Sequence, residues 1–364
     1  MKTIRVKASK TYDITVGDGF FDNTGAMIQK SIGGKIAAIV SDNNVFNLYG
    51  ERLKISLEKA GYHVVVYEFA HGETSKNTEV FVSLVEFLAA ENLSRSDVVV
   101  ALGGGVTGDL AGFAAASYMR GTRFVQIPTT LLAAVDSSVG GKTGLNLSAG
   151  KNLLGTFYQP DMVLCDVSLL ATLPPEVFAD GMAEVIKCAM IDKRGNLYEL
   201  ILKKDPVAKD PVAKDPVDMI ENCIEIKRDI VIQDEYEQNV RKLLNFGHTI
   251  GHAIEKLSSY KVSHGQAVAI GMVIETRIAI EMGLCDNNCL DRLVEMLEAN
   301  GLPTGMSVLP DETLYSAKEL AAACFSDKKR SGECITMVLP ERIGSCNLKE
   351  IPINELESII FMGL

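Results

Sequence analysis

Asp97-Val-Val-Val-Ala-Leu-Gly-Gly-Gly-Val-Thr-Gly-Asp109 is the stretch that decides the fold class. Its apolar run, Val98–Leu102, is too short for a helix and lacks the alternation of a half-buried strand. A strand that is apolar on both faces belongs inside a parallel sheet covered by helices. The run ends in glycines that precede a helix-like segment, so Gly103–Gly108 fits G-x-G-x-x-G between strand and helix. In that context glycines let backbone amides approach a pyrophosphate at a helix N-terminus. A standard dinucleotide fold wants an acidic residue about twenty positions on. Here that region is Val125-Gln-Ile-Pro128, and Asp109 sits directly after the glycines instead. The motif therefore predicts nucleotide binding outside the standard Rossmann arrangement; the plainer alternative is a tight turn without ligand.

The same rhythm extends on both sides. Lys35–Ser41, His63–Tyr67 and Arg123–Pro128 read as further strands, and Tyr49–Ala60 and Val80–Ala90 have helical spacing. Strand and helix in alternation imply a mostly parallel sheet. After Pro174-Pro175 helical periods take over, at 177–203, 217–231, 243–257, 266–282 and 288–300. The expected organisation is an α/β domain, Rossmann-like but atypical, over residues 1–170, then a mostly α-helical domain over 171–364. Between them, Lys204–Val217 repeats Lys-Asp-Pro-Val-Ala, in full twice and then in part. Proline at every fifth position forbids a continuous helix there, and a duplicated surface loop is the expectation.

Composition narrows the function classes. The chain has 364 residues, with 36 Lys+Arg against 47 Asp+Glu, a net charge of −11. That balance argues against nucleic acid or an anionic membrane as partner. No stretch of about 18 uncharged apolar residues offers a membrane span. The N-terminus shows no apolar signal region, and the eight cysteines are scattered without a C-x-x-C pair. Reduced thiols and a cytoplasmic location are expected. Cys285 and Cys289, four apart, suit a helix face.

Two further motifs carry chemistry. Val139-Gly-Gly-Lys-Thr-Gly144 is not a Walker A loop, because Asp136 stands where the first glycine is required. What remains is a lysine in a glycine-rich loop, able to hold an oxyanion or simply to turn at the surface. Three of the chain's five histidines fall within residues 248–264. His248 and His252 are i, i+4 on one helix face, and His264 opens the next helix. Glu184 and Lys187 are i, i+3 and share a face. A carboxylate with imidazoles is a set that catalytic zinc accepts. The plainer readings are a surface ion pair and capping or core histidines.

Together these residues resemble the 3-dehydroquinate synthases. The likeness runs over nearly the whole chain: Gly103–Asp109, Arg120-Gly121, Pro128-Thr-Thr-Leu-Leu-Ala133, Val135-Asp136, Gly140–Gly144, Gly150-Lys-Asn152, Ala183-Glu-Val-Ile-Lys187, Arg241–His248, Gly251-His252, His264-Gly265 and Asp327-Lys-Lys329. The resemblance implies an NAD- and zinc-dependent lyase, with cobalt an acceptable substitute, that converts 3-deoxy-D-arabino-heptulosonate 7-phosphate to 3-dehydroquinate and phosphate. The implied order is transient oxidation of a ring alcohol, phosphate elimination, re-reduction, ring opening and intramolecular aldol closure, in the shikimate pathway of aromatic amino acid biosynthesis.

Carried over by position, the resemblance puts the metal ligands on Glu184, His248 and His264. His252, despite its spacing, resembles a proton-transfer and phosphate-contacting residue. Lys142, Asn152, Lys187, Lys227, Arg241, Asn245 and Lys328 match substrate contacts, Asp136 a hydroxyl-binding carboxylate, and Glu237 a second acid/base. Arg120 matches a residue that reaches a neighbouring subunit's site, so a homodimer is implied. For NAD the pattern falls on Asp42, Asn44, Glu73, Lys76, Gly104, Gly105, Val106, Asp109, Thr129, Thr130, Lys151 and Thr172. Asp42, after a strand, suits ribose hydroxyls and disfavours a 2′-phosphate.

Asp180 departs from the usual pattern, and capping of the helix that leads to Glu184 is the expectation for it. The nearest rivals are another sugar-phosphate cyclase, such as a 2-deoxy-scyllo-inosose or valiolone-type synthase, and a metal-dependent glycerol-type alcohol dehydrogenase. Arg241, suited to a carboxylate clamp, separates the first rival. Net accumulation of NADH would mark the second.

Overall fold

The structure, a computed structural model, describes residues 1–202, 216–308, 315–324, 330–331 and 333–364. Lys328 and residues 204–215 of the repeat lie outside the described residues. The chain divides into two compact units: Met1–Leu173 with Asp215–Glu235, and Pro174–Lys214 with Tyr236–Leu364.

The first unit is built on nine strands: β1 (Lys2–Lys7), β2 (Thr11–Gly17), β3 (Ile36–Asp42), β4 (His63–Phe69), β5 (Val98–Gly103), β6 (Arg123–Pro128), β7 (Lys142–Leu147), β8 (Gly150–Phe157) and β9 (Met162–Asp166). Seven form one sheet in the order β1-β2-β9-β6-β5-β3-β4, parallel except for the β1–β2 pair, while β7 and β8 form a separate hairpin. Strand β5 is buried at every position, as its unalternating sequence predicts. Val98, Val100 and Leu102 join one core cluster, and Val99 and Ala101 join the one on the opposite face. The period-two pleat sends successive side chains to opposite faces, so a strand covered on both sides has no polar position. Each fully buried valine contributes ~1.5–3 kcal/mol.

The helices of this unit that precede Leu173 are α1 (Thr24–Ser31), α2 (Asn43–Val45), α3 (Glu51–Lys59), α4 (Thr78–Ala90) and α5 (Gly105–Ser117). The direction of travel reverses between β3 and β5: β4 lies on one side of β3, and β5, β6 and β9 follow on the other. In open parallel sheets the crevice at such a switch, beyond the carboxyl ends of the strands, is where ligands bind.

In the second half, α6 (Pro175–Ile191) and α7 (Asn196–Leu202) replace the single helical stretch expected over 177–203. The break is chemical: Asp192 accepts from the Arg194 amide at 3.2 Å, and Gly195 takes φ +74°. Next comes α8 (Pro216–Gln233), which packs in the first unit although the sequence places it in the helical half. Lys2 pairs there with Asp218 and Glu221.

The second unit continues with α9 (His248–Leu257), α10 (His264–Glu281), α11 (Asn287–Ala299), α12 (Ala317–Cys324) and α13 (Leu356–Gly363). The strands β10 (Arg330–Ser331), β11 (Cys334–Arg342) and β12 (Ser345–Pro352) form a small antiparallel sheet. Its core gathers Ile250 and Ile254 of α9, Ile270 and Ile274 of α10, Leu320, Met337, Leu339 and Ile360. Helix α11 starts one residue after its cap Asp286, so Cys285 lies outside it and the expected shared helix face with Cys289 is not formed. All eight cysteines are free thiols, and no described helix is long and apolar enough to cross a membrane.

Candidate metal centre and nucleotide-binding edge

In the second unit three elements deliver three donor atoms to one point. Glu184 sits mid-way along α6, while His248 and His264 are the first residues of α9 and α10. His264 Nε2 lies 3.1 Å and His248 Nε2 3.3 Å from the same Glu184 Oε1. All three donors fall within 4.8 Å of one another.

The outer nitrogens settle the tautomers. His248 Nδ1 donates to the Phe246 carbonyl at 3.0 Å, and His264 Nδ1 faces Glu255 Oε2 at 3.3 Å. Each Nε2 therefore points into the cluster, the arrangement that orients metal-binding histidines. Two imidazoles and a carboxylate suit a divalent cation of the zinc or cobalt kind.

Glu184 and Lys187 are not a surface pair, since each side chain is 1% exposed. Burial pushes the Glu184 carboxyl up, but Lys187 and the two histidines outweigh it and hold it well below the usual range. At His248 burial dominates and holds the ring down to about 4. At His264 burial pulls the same way, but hydrogen bonds to Glu184 and Glu255 outweigh it and raise the ring to about 10. A cation bound among the three would displace that proton.

Local sequence sets these positions. Ser263 and Gln266 form a capping box, which fixes His264 as the first residue of α10. Asp180 does not cap its own helix, because it lies five residues inside α6. Its Oδ1 accepts from Ser263 Oγ at 2.5 Å and from the Gly265 amide at 2.7 Å, clasping the turn on both sides of His264. Glu255, 3% exposed, was not legible as part of this group; only its place on the face of α9 below His252 hinted at it. The His252 ring stands 5.4 Å from that of His248 and 6.2 Å from that of His264, beside the trio and outside it. Asn245 donates to Glu237 at 2.6 Å, and Arg241 is 1% exposed in the same unit.

The nucleotide-binding residues expected in the first unit line the carboxyl edge of its sheet. Asp42 ends β3 and Asn44 follows it, Glu73 and Lys76 follow β4, Gly104 to Asp109 follow β5, Thr129 and Thr130 follow β6, and Thr172 follows β9. Asp42 Oδ1 caps α2 through the Asn44 and Val45 amides, both at 3.0 Å. Helix α5 has no side-chain cap at Gly104, so its first-turn amides face outward.

The glycines are required by proximity. A Cβ on Gly103 would lie 2.3 Å from Thr107 Oγ1, and one on Gly108 would lie 2.8 Å from Gln126 Oε1. Around this turn the hydroxyls of Thr107, Thr129 and Ser137 are buried with no hydrogen-bond partner. Outward amides beside orphaned hydroxyls fit the phosphates and ribose of a dinucleotide. Thr107 and Ser137 were not foreseen from sequence, because an isolated hydroxyl residue carries no spacing signal.

A polar network adjoins the turn. Lys76 Nζ lies 2.5 Å from Asp109 Oδ2 and 2.6 Å from Asn152 Oδ1. Asn146, also unforeseen, donates to Glu73 at 2.7 Å and accepts from the Asn152 amide at 3.0 Å. Burial pushes the Asp109 carboxyl up despite Lys76; Lys76 is raised because Asp109 and Glu73 outweigh its own burial. Lys227 of α8 donates to the Asp136 carboxylate at 2.7 Å. Lys142 and Lys151 stand on the β7–β8 hairpin. Arg120 is exposed in the turn before β6, the sheet edge opposite the glycine turn. The fold does not bring it to the glycine-turn edge.

The N-terminal family of 3-dehydroquinate synthase matches residues 66–180, and the C-terminal family matches residues 181–330. The 3-dehydroquinate synthase of Streptococcus sanguinis is 42% identical over 96% of both chains. The chain belongs to the 3-dehydroquinate synthase family. The Streptococcus mutans member of that family is 43% identical over 96% of this chain and 97% of its own. Among solved structures, a 2-deoxy-scyllo-inosose synthase complexed with carbaglucose-6-phosphate, NAD+ and Co2+ is 25% identical with a TM-score of 0.85, each chain covered in full. The 2-epi-5-epi-valiolone synthase of Streptomyces hygroscopicus, with NAD+ and Zn2+ bound, is 27% identical with a TM-score of 0.83 over 99% of each chain. A probable glycerol dehydrogenase from Sinorhizobium meliloti, 18% identical with a TM-score of 0.64, shares the fold.

Proposed function

We propose that this family member converts 3-deoxy-D-arabino-heptulosonate 7-phosphate to 3-dehydroquinate and phosphate, using NAD and one zinc ion, with cobalt an effective substitute. The observation that carries the reading is the Glu184–His248–His264 trio with its outer nitrogens engaged, in a chain 42% identical to synthases of this activity. When bound, the cation polarises substrate oxygens and NAD takes up and returns a hydride.

The chain's own residues have separate tasks. Glu184, His248 and His264 hold the cation. Asp42, Asn44, Glu73, Lys76, Gly104, Gly105, Val106, Asp109, Thr129, Thr130, Lys151 and Thr172 hold the dinucleotide, with amides of the α5 first turn on its phosphates. Asp136, Lys142, Asn152, Lys187, Lys227, Arg241, Asn245 and Lys328 bind substrate. Three of these cations, Lys187, Lys227 and Arg241, are 1%, 5% and 1% exposed. Buried cations of this kind suit a ligand carrying both carboxylate and phosphate. Glu237 and His252 move protons, and the Asn245 bond to Glu237 fixes the orientation of that carboxylate. Arg120, on the far sheet edge, acts on a second copy in a homodimer. A cytoplasmic location is part of the same reading.

The test is phosphate release from the heptulosonate phosphate with catalytic NAD+, with and without chelator. Phosphate in large excess over NAD+, lost on chelation and restored by zinc, is the expected result. Turnover only of a sugar phosphate lacking the carboxylate would move the chain to a sister cyclase and refute the role given to Arg241. Stoichiometric NADH would place it with the alcohol dehydrogenases.

A further inference from the structure

One buried acid has no place in these tasks. Glu275 is 0% exposed in the middle of α10, a helix whose neighbouring positions are apolar core. Burying a carboxylate costs several kcal/mol, so a helix that only filled the core would carry an apolar residue there. Glu275 Oε2 accepts from the Gly247 amide at 2.7 Å, and Gly247 is the residue before His248.

The Gly247 peptide is seated on one stripe of α10. Gly247 takes φ +78° and is the N-cap of α9, with no side-chain cap of its own. A Cβ at Gly271 would lie 2.0 Å from the Gly247 oxygen, and a Cβ at Gly247 would lie 2.6 Å from the Val268 oxygen. Val268, Gly271 and Glu275 are spaced i, i+3, i+7, so they line a single face. Val268 and Gly271 set how closely the peptide approaches, and Glu275 sets its rotation by receiving the N–H. The adjoining Phe246 carbonyl, which orients the His248 ring, is fixed by the same seat. Because α10 also begins at His264, one rigid helix registers two of the three donors against each other.

We infer that Glu275 is a positioning residue for the metal centre, holding His248 Nε2 in register with His264 and Glu184 through the Gly247 amide. The inference rests on the metal reading of that trio. It is tested by stripping the protein with chelator and titrating with Co2+, reading the d–d absorption and the affinity by chelator competition. Glu275→Ala should bind Co2+ ~10–100-fold more weakly, as loss of an outer-shell partner does, with an altered spectrum. Glu275→Gln, which keeps an acceptor for the same N–H, should stay within a few-fold of the parent. Ile274→Ala, a neighbour in the apolar core, should lower thermal stability and leave affinity and spectrum unchanged.

If Glu275→Ala does not accumulate as folded protein, Glu275→Asp, one methylene too short to reach the amide, must show the same change in smaller measure. Folded Ala or Asp variants with the parent's affinity and spectrum would overturn the inference while leaving the metal reading intact. A parent protein that takes up no Co2+, or that takes it up equally after His264→Ala, would overturn the metal reading and the inference with it.

Discussion

Replacing Lys76 by methionine removes the ammonium with which Asp109 is paired beside the glycine turn. An exposed pair of this kind contributes ~0–1 kcal/mol, whereas breaking a buried one costs ~3–5 kcal/mol because the remaining charge is stranded. The Lys76 side chain is 5% exposed and that of Asp109 20%. Water therefore relieves part of the carboxylate's cost, and the low end of the buried range applies, about 3 kcal/mol. A unit of ~150–250 residues loses ~2–4 °C of Tm per kcal/mol, so the transition should fall by about 6–12 °C. Circular dichroism melts of Lys76→Met, Asp109→Leu and the double variant measure this. The double variant should recover at least ~1 kcal/mol relative to the sum of the singles. NAD+ should raise the Tm of the parent and not of Lys76→Met. A fall under ~2 °C, or strict additivity, would falsify the buried-pair account.

Gly247→Ala combines a left-handed φ of +78° with a Cβ 2.5 Å from Met272 Cγ; it should cost at least ~2 kcal/mol and weaken metal uptake, read by melts and Co2+ titration. His252→Ala should keep full metal content by atomic absorption while phosphate release slows by ~10²-fold or more, since the trio holds the cation without it; loss of metal would instead place the cation in the second donor group, His252, Glu255 and His264. Asp97, 4% exposed, accepts from the Lys35, Ile36 and Ser94 amides. Burial pushes its carboxyl up, but these bonds and the Ser94 hydroxyl outweigh it and hold it below the ordinary value. Its contribution is therefore complete above the unfolded pKa, about 4, and is lost as pH falls through the lowered value. Asp97→Ala should cost ~2–3 kcal/mol at neutral pH, with the gap from the parent closing in acid, as denaturant melts from pH 7 to 3 would show.

What the sequence makes legible follows from how local the cause is. Strand β5 declares itself because burial on both faces forbids any polar residue along it. The glycine turn declares itself because Thr107 and Gln126 leave no room for side chains. The pairing of His248 with His264 is less direct: spacing alone favours His252, and only the first-residue positions on two different helices make the trio. Asp180 reads as a cap for the helix it belongs to, yet its partners lie more than eighty positions away at the start of α10. Glu275 is similar, since a buried acid in an apolar helix shows only that something must satisfy it. Past Asn300 the pattern assigns no elements, and the β11–β12 pair there is antiparallel, with a register shift near Pro340.

Helix α8 belongs to the first unit but is encoded after α6 and α7 of the second. During synthesis the N-terminal sheet therefore emerges without the helix that supplies Lys227 to Asp136 and pairs with Lys2. Domains generally complete themselves in the order in which they leave the ribosome. Here the first unit must wait until Glu235 has been translated, with two helices of the second already exposed. A fragment ended at Leu173 would lack α8 altogether, and the first unit cannot be excised as one continuous stretch of the gene.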